Sequence, residues 1–339
     1  MSFRVATYNA GLAVGLLPYA TERAERVVTA LSALEVDLLF VQEFWLDSHW
    51  EFLRRALAPR LPYDARPSPI LKRTAACQAE QLRPLVECAS RWCAGRRDED
   101  LARCVVEHCA PTALTLPTPC LNCIASHPEG TLEEIVGRCV GNSADSVSAG
   151  LGSSRYGGLI AYGGSFGTGL IARTPLLDVD QLVFESSVNA RGAIYARLGV
   201  PAFGELAVIA THLSPGGAEH PPQVHRLLSW LADKAPNGPA ILLGDLNMTP
   251  ANPLFRLLES AGFSAPPPPH GFATYTPNGL GTGEAPTAGI QLDHILLREI
   301  DAPAAARRVL DQPIHLSVGE QTVLTTLSDH FGVLVEFDS

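Results

Sequence analysis

Ala240-Ile241-Leu242-Leu243-Gly244-Asp245-Leu246-Asn247 is the stretch from which the rest of the chain can be placed. Four consecutive apolar residues, closed by a glycine, a carboxylate and an amide, read as a strand buried on both faces that delivers polar groups at its end. The same pattern recurs outward from this point. Residues 3–8 run into Asn9, residues 36–41 into Gln42 and Glu43, and residues 206–210 into Thr211 and His212. In the opposite sense, Asp293 leads into 294–297, and Ser328-Asp329-His330 leads into 333–337. Strands are also expected at 169–172 and 193–198. Any one of these polar residues alone is an ordinary turn residue or a satisfied histidine. Their number and order carry the argument, because strands of one sheet system that end this way bring the polar groups to a common rim.

Helices are expected between the strands. Residues 21–34 place Val27, Val28, Leu31 and Leu34 on one face, with Thr21 as N-cap. Residues 223–234 and 253–261 are further helices, the latter opened by Pro253 in its first turn. Strands interleaved with helices predict an α/β (α+β) layered domain. The polyproline run 266–269 is a rigid loop spacer inside that domain.

Composition sets the limits. The chain has 339 residues, 46% hydrophobic and 18% charged, which excludes disordered, collagen-like and coiled-coil classes. Its mean hydropathy is +0.12, yet no apolar run is long enough to span a bilayer. Lys+Arg number 25 against 35 Asp+Glu, a net charge of −10, which disfavours a partner held mainly through nucleic-acid phosphates. A bound divalent cation would offset that objection locally.

All 8 cysteines fall between Cys77 and Cys139. Cys77, Cys93 and Cys109 are spaced by 16, as are Cys88, Cys104 and Cys120, and the pair Cys123 and Cys139. Short helices are expected at 85–88, 101–104 and 135–139, and a step of 11 from Cys77 to Cys88 would return to one helix face. We read residues 74–145 as a cysteine-rich helical insertion within a 1–339 catalytic domain. Cys120-x-x-Cys123 with His108 and His127 nearby offers a zinc reading, but a second paired cluster is missing, so disulfides are expected instead. Disulfides favour a secreted or extracytoplasmic protein. No signal peptide precedes the first strand, and a start methionine in place of a removed leader reconciles the two.

The ordered set Thr7-Tyr8-Asn9, Gln42-Glu43, Thr211-His212-Leu213, Gly244-Asp245-Leu246-Asn247, Leu292-Asp293-His294-Ile295 and Ser328-Asp329-His330 resembles the endonuclease/exonuclease/phosphatase (DNase-I-like) superfamily. The resemblance implies a four-layer sandwich, two packed mixed β-sheets flanked by helices, with a metal-dependent phosphoesterase site at one rim. Phe40-Val41-Gln42-Glu43-Phe44-Trp45 and Arg191-Gly192-Ala193-Ile194-Tyr195 are similar to segments of the neutral-sphingomyelinase branch, as is Thr274-Tyr275 with Asn278. His212 stands where abasic-site endonucleases of the superfamily usually carry Tyr.

The implied chemistry is hydrolysis of a phosphodiester by in-line attack of water. Crowded carboxylates with amide neighbours favour a hard ion, Mg²⁺ or alternatively Mn²⁺. Glu43 gives a charged metal ligand, Asn9 a neutral ligand or an orienting bond, and Asp329 a ligand to this or a second ion. His330 is the expected general base, oriented by Asp293. Asp245 and Asn247 hold the water and the phosphate, and His212 donates to a phosphate oxygen or the leaving group. An alternative makes Asp245 the base and His330 a phosphate clamp. A phospholipid such as sphingomyelin is the favoured substrate, with the cysteine block expected beside the site mouth, either shaping substrate access or touching a membrane. A Mg-dependent nuclease and a non-catalytic interaction protein are the alternatives, and no partner protein is indicated.

Overall fold

In a computed structural model describing residues 2–69, 77–140, 161–186, 189–269, 271–277, 279–280, 289–300 and 305–337, the expected strands assemble into two sheets. In the first, β1 (Phe3–Asn9) lies parallel to β2 (Leu38–Gln42), with α1 (Ala20–Ala33) as the crossover. The helix α2 (Asp47–Leu57) follows, and β3 (Tyr63–Ala65) forms the sheet edge. The other members are β4 (Gly169–Ala172), β10 (Ala306–Val309) and β13 (Gly332–Phe337), giving the order β10-β13-β1-β2-β4-β3.

The second sheet contains β5 (Leu177–Val183), β6 (Gly192–Val200), β7 (Gly204–His212), β8 (Ala240–Asp245) and β9 (Asp293–Arg298), side by side in that order. Here too one pair is parallel, β7 with β8, bridged by α7 (His220–Lys234). A parallel pair needs a crossover rather than a hairpin, so each sheet is built on one βαβ unit. β11 (Ile314–Val318) and β12 (Gln321–Thr325) form a separate hairpin.

Strand alternation explains the apolar runs. Leu38 and Phe40 face the inter-sheet core with Ile194, Val208, Ile241 and Leu243. Leu39 and Val41 face outward onto Val27 and Leu31 of α1 and Leu53 of α2. On the far side, Ile209, Leu242 and Leu296 pack on Val224 and Leu227 of α7 and on Leu258 of α8 (Phe255–Ser260). The result is the four-layer sandwich.

Several local expectations are corrected. Thr21 does not cap α1: Tyr19 is the N-cap, in a left-handed conformation (φ 57°), with no side-chain cap bond. The Thr21 amide instead donates to Glu99 of the cysteine-rich region, at 3.2 Å. Pro253 precedes α8 rather than opening it, since the N-cap is Leu254. The helix expected from Gln223 starts at His220, with proline in its first turn.

The cysteine block holds four helices, α3 (Ala79–Trp92), α4 (Asp98–Ala113), α5 (Thr118–Ala125) and α6 (Leu132–Cys139), where three short ones were expected. Pro84 and Pro111 lie inside α3 and α4, which hides the length of both helices from a local reading. The disulfides are Cys77–Cys120, Cys88–Cys109, Cys93–Cys104 and Cys123–Cys139. The step of 11 does not mark a shared helix face, because Cys77 precedes α3 and Cys93 is its C-cap. Cys123, His127 and Cys139 lie close together, but the two cysteines are bonded to each other and present no thiolate to zinc.

Candidate active site

The two parallel pairs point their C-terminal ends the same way, and the antiparallel β9 and β13 begin there. In the second sheet the register sets His212 beside Asp245 and Asp245 beside Asp293 on adjacent strands. In the first it sets Asn9 beside Gln42, with Glu43 next in the chain. Asn9 then crosses the gap between the sheets, its Nδ2 donating to Asp245 Oδ2 at 3.0 Å and to Glu43 Oε1 at 3.2 Å.

Gly244 is required for this register. Its φ is 138°, and a Cβ there would stand 1.9 Å from the Thr211 carbonyl oxygen, so only glycine lets β7 and β8 close up. Glu43 and Asn247 adopt left-handed backbone conformations, φ 61° and 49°, where the strands hand over to the rim loops. Asn247 donates from its backbone to Asp245 Oδ1 at 2.9 Å and from Nδ2 to the Leu213 carbonyl at 2.9 Å.

His330 Nδ1 is 2.8 Å from Asp293 Oδ2, and its Nε2 is 3.9 Å from Asp245 Oδ2. Thr274 Oγ1 accepts from the Leu292 and Asp293 amides, both at 3.0 Å, and Tyr275 packs against the His330 ring, 4.8 Å between centroids. Asn278, of the same expected motif, lies outside the described residues. His212 Nε2 is 3.3 Å from Asp245 Oδ2.

Electrostatics follow from burial and crowding. Burial works against the imidazolium of His330, but Asp293, Asp245 and Asp329 outweigh it and push its pKa up. Burial also penalises the Asp245 carboxylate, yet His212, His330 and the Asn247 amide hold it well below the usual carboxylate range. Burial, then the Arg191 charge, pushes the His212 pKa down, against its contact with Asp245. Asp329 is raised by burial and, against the His330 charge, by Glu43.

The Glu43 charge acting on Asp329 is the test of fit for a cation. The two carboxylates form a hard oxygen donor set suited to Mg²⁺ or Mn²⁺. Asn9 has its Nδ2 turned to the Glu43 and Asp245 carboxylates. Its Oδ1 already accepts from the Gly11 amide at 3.1 Å, and turning it would aim an oxygen at two carboxylates.

All eight expected residues thus converge on one rim. Two arginines there escaped the sequence reading as functional groups. Arg191 is buried beneath the rim beside Trp45, feels the charges of Glu43 and Asp245, and leaves its Nη1 without a hydrogen-bond partner. Arg23 donates to the carbonyls of Ala10, Gly11 and Leu327, tying the loop after β1 to the loop carrying Asp329 and His330. Arg23 had a legible signal, since it falls one turn before Val27 on the buried face of α1. A cavity of about 660 Å³ lies elsewhere: it is lined by Glu205, at the opposite end of β7 from His212.

This rim on this sandwich defines a phosphoesterase class, and the chain belongs to the endonuclease/exonuclease/phosphatase family, whose model matches residues 6–330. The enzymes of that family are typically metal-dependent phosphodiesterases and nucleases, which places the chain among hydrolases of phosphoester bonds. Similar solved structures include sphingomyelinase C from Streptomyces griseocarneus, at 16% identity and TM-score 0.59, with 100% of each chain covered. A beta toxin variant from Staphylococcus aureus with bound magnesium ions is similar at 12% identity and TM-score 0.57, again over 100% of each chain. D. rerio TDP2 complexed with a single-strand DNA product is similar at 13% identity and TM-score 0.54, covering 100% of this chain and 99% of that one. No curated protein sequence matches the chain.

Proposed function

We propose that the protein is a Mg²⁺-dependent phosphodiesterase that hydrolyses a phospholipid phosphodiester, in a catalytic domain spanning 1–339 with 74–145 as its insertion. The observation that carries the reading is the convergence of Asn9, Glu43, His212, Asp245, Asn247, Asp293, Asp329 and His330 on one rim from strands of both sheets. Glu43 and Asp329 would hold the ion, which when bound would offset charge on the phosphoryl group. Asn9, a ligand or an orienting group in the same set, ties Glu43 and Asp245 to one amide donor.

Asp245, ionised and bonded to Asn247, accepts the proton of the attacking water as its oxygen bonds to phosphorus. His330, held as an imidazolium by Asp293, clamps a phosphoryl oxygen. That charge state supports the clamp over the general-base role for His330. His212 donates to the phosphate or to the departing oxygen, which leaves with the electrons of the broken P–O bond. Arg191, the first residue of the sphingomyelinase-like string ending at Tyr195, adds a buried positive charge under the same rim.

The lipid preference is supported by the sphingomyelinase-like strings around Glu43 and Tyr195 and by the net charge of −10. The four disulfides belong to an oxidising environment, in line with a secreted protein. Among the described residues no helix is long and apolar enough to cross a membrane. The test is a panel of sphingomyelin, lysophospholipid, an inositol phosphate, plasmid DNA and RNA, each with Mg²⁺ and with EDTA. Headgroup phosphate release from lipid, abolished by EDTA, is expected. DNA or RNA cleavage without lipid turnover makes the protein a nuclease, and no turnover of any substrate makes it an interaction protein.

A further inference from the structure

A second cavity, of about 280 Å³, opens between the disulfide-stapled helices and the loop after β1. All four helices contribute a wall, through Leu85, Val105, Leu121 and Val136, and the host domain closes it with Leu16 and Tyr162. The Tyr162 hydroxyl donates to the Val14 carbonyl at 2.9 Å, so that phenol is satisfied and offers the cavity its ring. A space lined this way offers water few partners. Its mouth carries large apolar side chains in solvent: Leu16 is 56% exposed, Val106 54% and Leu114 67%. A hollow in so small a helical module is destabilising, and four disulfides offset that loss by restricting the unfolded chain.

The hollow adjoins the rim. Tyr162 stacks on Trp45 at 5.3 Å, and Trp45 Nε1 lies 3.5 Å from Glu43 Oε2. The module is fixed there, since Glu99 of α4 binds the N-terminus of α1 and Ala102 leaves room only for glycine at Gly15.

We propose that this cavity binds one aliphatic chain. An apolar cavity of about 150 Å³ holds the six carbons of benzene, so this one accommodates a chain segment of about eleven. Identifying the chain as the tail of the lipid hydrolysed at the rim rests on the function proposed above; the chain site itself does not.

The experiment therefore measures binding to the intact oxidised protein in EDTA, where no hydrolysis interferes. A fluorescent dodecyl lysophosphocholine is titrated, then displaced by unlabelled lysophosphocholines of eight to sixteen carbons and, in a separate arm, by dodecanoic acid. Saturable 1:1 binding with an optimum near twelve carbons is expected. Ala113→Trp, which fills the cavity, and Val106→Asp, which charges its mouth, should each weaken binding about tenfold or more. Non-reducing mass and circular dichroism must show both variants folded with four disulfides. Preference for lysophosphocholine over dodecanoic acid gives the substrate lipid as the source, and the reverse gives a free fatty acid; either result upholds the chain site. No saturable binding, or folded variants that both bind like the parent, overturns it. So does a dimer, dissolved by the same variants, in a protein that binds no probe. Binding without hydrolysis in the Mg²⁺ panel upholds the site and removes the phosphodiesterase reading instead.

Discussion

His330 sits among Asp293, Asp245 and Asp329, and all four are needed to understand any one of them. A charged clamp acts mainly as negative charge builds on the phosphoryl oxygens, so its loss should appear in kcat more than in KM. For His330→Ala we expect kcat to fall by ~10²–10³-fold with KM changed little. Near-normal kcat removes the role. Asp245→Asn should fall comparably, and near-normal kcat in that variant moves the proton-accepting role back to His330. Glu43→Gln keeps the shape and removes a ligand charge. Its activity should recover at Mg²⁺ concentrations well above those the parent needs, and an unshifted Mg²⁺ titration excludes Glu43 as a ligand.

At the scale of elements, loops position what strands deliver. Thr274 receives two backbone amides, at Leu292 and Asp293, and so fixes the entry of β9. Thr274→Val is nearly isosteric and leaves both donors without an acceptor. It should cost about 1–3 kcal/mol in denaturant unfolding and lower kcat through misplacement of Asp293. Equal stability and kcat would show the contact to be dispensable. The cysteine-rich helices make the complementary case. Their own apolar clusters are small, and each cross-link is worth about 2–4 kcal/mol. Non-reducing peptide mapping should recover the four linkages found here, and mild reduction should melt these helices before the sandwich. Eight alkylatable thiols in the untreated protein would refute the linkages.

For the molecule as a whole, acid should act through buried neutral histidines. Burial, then the Arg23 charge, pushes His49 down to about 4, and burial pushes His294 down to about 4 despite its bond to the Met248 carbonyl. Both folded values lie below the ordinary 6.5, so the folded state prefers the neutral form. Their contribution is complete above pH 6.5 and is lost as the pH falls towards 4. The loss is on the order of 3 kcal/mol per histidine. Denaturant midpoints should drop across that window, and His49→Gln should flatten the drop. A slope identical in parent and variant would assign the acid sensitivity elsewhere.

The strands and the rim were legible because both are local. A strand buried on two faces must be apolar throughout, and its end is marked by the first polar residue, as at Leu243-Gly244-Asp245 and Val41-Gln42-Glu43. The order of those ends along the chain was enough for the family and its layers. The edge strands β3, β5 and β10 and the hairpin β11–β12 were not found because they carry mixed polar faces, whereas α2 was missed although Trp50, Leu53 and Leu57 mark one buried helical face. Disulfide pairing was beyond reach for a combinatorial reason, since eight cysteines allow 105 connectivities and only the packing of helices selects one. Tertiary structure alone decided that Glu99 caps α1, that Asn9 reaches Asp245 across two sheets, and that Arg191 lies beneath the rim. Each of these contacts joins segments far apart in the chain. Sequence pattern records which side chains are buried or exposed, whereas the partner of a buried polar group is set by where the folded backbone brings distant segments together.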